Sequence, residues 1–146
     1  MKKAFEYLTI VVLFFATSIA TVRAHCQIPC GIYDDRMRIH MMEEHVATIE
    51  KSMKELLKSP NQNQTVRWVL NKEEHSEKLG EIVTYYFMAQ RIKPGCADYA
   101  RKLSQLHEIL VYAMKAKQTV DLANVEKLKE LINDFELSYM GEAHKH

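Results

Sequence analysis

The chain has 146 residues, with 20 Lys and Arg against 19 Asp and Glu, and seven His. That length sustains a single domain with its own core, and the near-zero charge argues against a nucleic-acid binder. Four Gly and three Pro are too few for a turn-rich all-β or low-complexity chain, and three Cys are too few for a disulfide scaffold.

Residues 1–24 read MKKAFEYLTIVVLFFATSIATVRA. Lys2 and Lys3 make a basic start, Leu8–Ala20 is an uncharged apolar run, and Val22-Arg23-Ala24 supplies residues tolerated at a cleavage site. In that order the three parts are a secretory signal peptide. A spanning helix needs about 20 apolar residues, so the run is short for a membrane anchor. The expectation is an exported protein, periplasmic or secreted, matured by signal peptidase and holding no stable membrane anchor after cleavage. Cutting after Ala24 leaves 17 basic and 18 acidic side chains, so the basic leader conceals a slightly acidic domain.

The cut chain begins His25-Cys26-Gln27-Ile28-Pro29-Cys30-Gly31-Ile32-Tyr33. This stretch has neither helical nor strand periodicity, but it gathers metal-ligand atoms. His25 offers a free α-amine and an imidazole, and Cys26 and Cys30 offer two thiolates. Pro29 and Gly31 flank Cys30 with residues that permit a tight turn. An amine, a deprotonated backbone amide and two cis thiolates form a square plane suited to Ni²⁺ or Cu²⁺. An axial imidazole would stabilise a trivalent state, and thiolate donation lowers the potential for reaching it, which favours one-electron chemistry over hydrolysis. In an oxidising compartment a Cys26–Cys30 disulfide fits the same residues equally well.

Beyond this hook the periodicity is helical nearly throughout. Met42, Val46, Ile49, Met53 and Leu56 line one face of a helix over about 35–58, which Ser59-Pro60-Asn61 ends. A second helix spans about 64–92, with Val66, Val69, Leu70, Leu79, Ile82, Val83, Tyr86 and Phe87 on its apolar face and an unusually polar middle over 71–78. Lys93-Pro94-Gly95 ends it. A third spans about 97–117, carrying Tyr99, Leu103, Leu106, Leu110 and Ala113. A fourth spans about 120–140, carrying Val125, Leu128, Ile132, Phe135 and Tyr139, with Asp121 or Thr119 as its cap. Similar lengths and short connections predict an all-α, up-down-up-down four-helix bundle. The expected layout is a leader over 1–24, a hook over 25–34 and a bundle over 35–146.

The pattern His25-Cys26-x-x-Pro29-Cys30-Gly31-x-Tyr33 resembles the nickel hook of the nickel-containing superoxide dismutases. The resemblance implies a nickel ion as cofactor, superoxide as substrate and a homohexamer of four-helix bundles. It also implies dismutation of superoxide to dioxygen and hydrogen peroxide by nickel cycling between Ni(II) and Ni(III). Carried over by position, His25 supplies the amine and the axial imidazole, Cys26 its backbone nitrogen and thiolate, and Cys30 the second thiolate. Tyr33 matches a tyrosine whose hydroxyl limits access and positions the small anion or its water. Many members carry an acidic residue where this chain has Gln27, and some carry Asp-Pro where it has Asp34-Asp35. In some members a Glu on the first helix and an Arg on the second orient the axial imidazole, and His40 and His75 fall near those places.

A competing reading is an exported nickel- or copper-binding helical bundle, a chaperone or sensor without turnover. Tyr33 tells against it, because a storage site has no use for a fixed phenol beside its ligands. Cys96 reads as a half-buried structural thiol. His45, His75 and His107 read as ordinary helix residues, and the methionines of the first helix as packing. Asn63-Gln64-Thr65 matches a glycosylation sequon.

Overall fold

The computed structural model of the chain describes Tyr7, residues 34–58 and residues 61–141. The rest of the expected leader, and residues 25–33 of the hook expected over 25–34, lie outside the described residues. Among the described residues there are four helices and no strand. None of the helices is long and apolar enough to cross a membrane.

Helix α1 spans Asp35–Leu57. Asp34 caps it, its carboxylate accepting the backbone N–H of Arg36 at 2.8 Å and of Met37 at 3.4 Å. Two of the four donors that a helix start leaves unmatched are satisfied in this way. Helix α2 spans Gln62–Glu81, capped by Asn61 through the N–H of Gln64. It continues without a break as a π-helical segment, Ile82–Arg91. A turn then closes from the Cys96 N–H to the Lys93 carbonyl at 3.1 Å. Pro94 and Gly95 take its central positions, and Gly95 has φ +89°, a conformation costly for any residue with a Cβ. Helix α3 spans Tyr99–Gln118, and helix α4 spans Leu122–Met140. Of the two expected caps of α4, Asp121 fills the position, accepting the Ala123 N–H at 3.0 Å.

Each helix packs on the next, and α1 also packs on α4, so all four share one core. Ile39, Met42, Val46, Ile49 and Met53 of α1 are fully buried, at the 3-4-3-4 spacing that keeps them on one face. They meet Leu79, Val83 and Phe87, Leu106, Ile109 and Ala116, and Val125, Leu128, Ile132 and Phe135. Cys96 is half-buried against this core, as expected, and carries a free thiol.

The second helix departs from its sequence pattern. Val66, Val69 and Leu70 were expected in the core but are exposed, at 52%, 39% and 62%. The polar stretch that follows turns inward instead: Lys72 and Ser76 are buried. The Lys72 ammonium reaches the C-terminal end of α3, donating to the Ala116 carbonyl at 2.6 Å and to that of Lys117. A cation there satisfies carbonyls that the helix leaves unpaired and meets the negative end of its dipole. Lys72→Met keeps the apolar stem but removes the donor. It is expected to destabilise the fold by about 1–3 kcal/mol, the usual cost of leaving buried carbonyls unmatched. Chemical denaturation checks this, and an unchanged midpoint would show that water replaces the ammonium.

Candidate metal centre and its anchor

The proposed ligands His25, Cys26 and Cys30, and the proposed catalytic Tyr33, lie outside the described residues. The point where the hook joins the bundle is described, and it is tightly built. Asp34 caps α1, and Asp35 begins the helix.

The Asp35 carboxylate gathers donors from two distant parts of the chain. Arg91 Nε forms an ion pair with its Oδ1 at 2.8 Å, and the Tyr86 hydroxyl donates to the same oxygen. The Tyr139 hydroxyl donates to Oδ2 at 2.8 Å. Arg91 Nη2 in turn donates to the Tyr86 hydroxyl at 2.8 Å, and its guanidinium lies 4.8 Å from the centre of that ring. The carboxylate thus ties the root of the hook to the π-helical segment and to the end of α4. Burial raises the pKa of both phenols, and their hydrogen bonds to Asp35 raise them further. Both therefore stay protonated as donors at neutral pH.

The π-helix makes this cluster possible. In an α-helix, residues five apart point about 140° away from each other. In a π-helix the repeat is i→i+5, as in the Ile92 N–H to Phe87 carbonyl bond at 2.9 Å. Tyr86 and Arg91 are five apart and so stack one turn above the other, both facing Asp35.

Beside this cluster a cleft of about 500 Å³ opens between α1 and α2, lined by residues including Arg38, Met41, His45, Lys78, Glu81 and Tyr86. His75 meets His45 here, Nδ1 to Nδ1 at 3.1 Å, while His40 is exposed. Burial lowers the pKa of both paired histidines from 6.5, and for His45 the neighbouring His75 lowers it further. The unfolded chain therefore takes up more protons than the folded one once pH falls below 6.5. The pair's contribution to stability is expected to be intact above pH 6.5 and to decline as pH falls from there through the lower folded-state values. Comparing the pH dependence of unfolding in wild type and His75→Gln checks this, and the variant is expected to show the shallower decline.

The sequence reading placed Asp35 only as a departure from a resembling motif and treated His45 as an ordinary helix residue. An acidic pair at a helix start was the available signal for the first. No signal in the sequence joins His45 to His75, which lie 30 positions apart. Among the described residues no three His, Cys, Asp or Glu side chains are grouped to hold a metal ion.

The described residues form a helical bundle whose first helix is capped by Asp34 and tied down through Asp35, directly after a stretch of sequence that carries His25, Cys26 and Cys30. The family model described as nickel-containing superoxide dismutase matches residues 20–143, which takes in the nine hook residues and the bundle. The chain belongs to the nickel-containing superoxide dismutase family. It is an oxidoreductase with nickel as cofactor and superoxide as substrate. The reading as a metal chaperone or sensor without turnover gains no support from this match. No curated protein and no solved structure matches the chain at a significant level.

Proposed function

We propose that the chain is exported to the periplasm or beyond as a precursor, and that removal of residues 1–24 leaves His25 as the first residue of the active enzyme. The mature protein is an up-down-up-down four-helix bundle carrying the hook at its N-terminus. The observation that carries this reading is the family match across residues 20–143, together with His25, Cys26, Pro29, Cys30, Gly31 and Tyr33 at the spacing of the resembling hook.

The donor set fits nickel. The His25 amine and imidazole, the Cys26 backbone nitrogen and thiolate, and the Cys30 thiolate would supply nitrogen and sulfur ligands of the softness that Ni(II) favours. Bound nickel would supply a one-electron couple between Ni(II) and Ni(III), the chemistry that dismutation of superoxide to dioxygen and hydrogen peroxide requires. The protein's own residues do the rest. Tyr33 narrows access and holds the anion or its water through its hydroxyl. Asp34 and Asp35 fix the point from which the hook departs.

The homohexamer implied by the resemblance is part of this proposal. Exposed Val66, Val69 and Leu70 support it, since an apolar stretch on the surface of a charged helix is suited to burial between subunits.

The deciding experiment is elemental analysis of the correctly processed protein paired with a superoxide dismutation assay. One nickel per chain with activity is expected. Copper in its place, or nickel without turnover, overturns the proposal. Within the hook, Cys26→Ser and Cys30→Ser are each expected to abolish activity. Tyr33→Phe is expected to retain nickel and change the rate or anion affinity modestly. Loss of nickel from Tyr33→Phe would show that the phenol holds the hook together rather than serving the substrate.

A further inference from the structure

The geometry points to a second metal site, built from side chains other than the hook's, in which His45 of α1 and His75 of α2 bind one borderline first-row cation such as Zn²⁺ through their Nδ1 atoms. The two nitrogens face each other at 3.1 Å, with ring centres 5.0 Å apart and ring planes at 73°. Metal–imidazole bonds are about 2.0–2.1 Å long, so two nitrogens on a tetrahedral ion stand about 3.3 Å apart, and two at a right angle about 2.9 Å. The observed separation falls between these values. The separation is that of two imidazoles sharing one ion, and turning the rings would aim both Nδ1 lone pairs at it.

Binding requires no net proton release. In the metal-free pair one ring donates its Nδ1–H to the other ring's Nδ1. When both Nδ1 atoms turn to a cation, that proton moves to the donor ring's Nε2, and each ring keeps one N–H. Burial holds both rings in the neutral form that binds metals.

The surroundings set the kind of site. His45 opens onto the cleft, which gives a cation a route and leaves room for water ligands. Arg38 and Lys78 also line the cleft, and Lys78 disfavours positive charge at both rings, but its ammonium is paired with Glu74 at 2.6 Å and Glu81 adds a further carboxylate, so the cation is held weakly. No third His, Cys, Asp or Glu is grouped with the pair among the described residues, so water completes the shell and the ion exchanges readily. The chemistry is that of a labile clasp between α1 and α2, stabilising the fold by mass action whenever the cation is present.

The test uses the nickel-loaded, processed protein titrated with Zn²⁺, chosen because it has no redox chemistry to confuse with dismutation. One additional equivalent of zinc per chain is expected, with nickel content unchanged and the unfolding midpoint raised by several degrees. His45→Ala and His75→Ala are each expected to weaken zinc binding at least tenfold, while His40→Ala leaves it unchanged. X-ray absorption at the zinc edge of the wild-type protein is expected to show two imidazoles and light oxygen neighbours, which keeps the test open even if a variant folds poorly. The absence of a second equivalent, binding that survives both substitutions, or a thiolate sulfur at about 2.3 Å from zinc would overturn the site.

Discussion

An extra alanine placed ahead of His25 is expected to remove dismutase activity by at least about 100-fold while leaving the helical content unchanged, on the scale expected when a ligand shell is broken. The proposed amine ligand exists only when residue 25 is the first residue. Acylation turns its nitrogen into an amide, whose lone pair is delocalised into the carbonyl and which must lose a proton before it can bind a metal. Among the described residues the bundle's first ties are the Asp34 cap and the Asp35 cluster, both past residue 33. Nickel analysis, circular dichroism and a superoxide assay on the same preparation separate loss of the site from loss of the fold. Full activity in the extended protein would sink the proposal that processing creates a ligand. An unprocessed precursor is expected to be inactive for the same reason.

Asp35→Ala is expected to destabilise the protein by about 2–3 kcal/mol, the range for losing hydrogen bonds made to a charged group. The substitution takes the acceptor from two phenols and separates a carboxylate from Arg91, whose side chain is only 23% exposed. What remains is a cation and two hydroxyls partly withdrawn from water, which is why removing one partner costs more than the pair is worth. Asp35→Asn keeps an acceptor but not the charge and is expected to fall between wild type and Asp35→Ala. Denaturant unfolding of the metal-free protein isolates this effect from nickel binding. In the metal-loaded protein the same substitution is expected to lower activity with less effect on nickel content, because it frees the root of the hook without touching a ligand. A midpoint equal to wild type in both variants would show that the cluster is ornamental to the fold.

Much of the molecule was legible in the sequence. The helix over about 35–58 is found as Asp35–Leu57, and its stripe is buried at Met42, Val46, Ile49 and Met53 and half-buried at Leu56. The third and fourth helices begin and end within about two residues of expectation, at Tyr99–Gln118 and Leu122–Met140. These elements are readable because their causes are local: an apolar residue every third or fourth position, and Pro, Gly or Asp at the ends. The motif that resembles the nickel hook is compact for a related reason, since its candidate donors lie within six consecutive residues. The second helix was less legible, because its apolar pattern does not say which neighbour will cover it. Val66, Val69 and Leu70 look like a core face and remain exposed, whereas Lys72 looks like a surface residue and is buried on the end of α3.

By itself, then, the chain's sequence determined a helical protein, the positions of its helices and a donor set that singles out one family. Only the tertiary structure decided which residues meet across the chain. The π-helical segment brings Tyr86 and Arg91 to one side, and the return of α4 lays Tyr139 on Asp35, 104 positions away. The packing of α1 on α2 sets His45 against His75. None of these pairings leaves a periodic trace. Hydrophobic burial selects a face of a helix, but a hydrogen bond or ion pair depends on the rotation and register at which two faces dock, and that is set by the whole core at once.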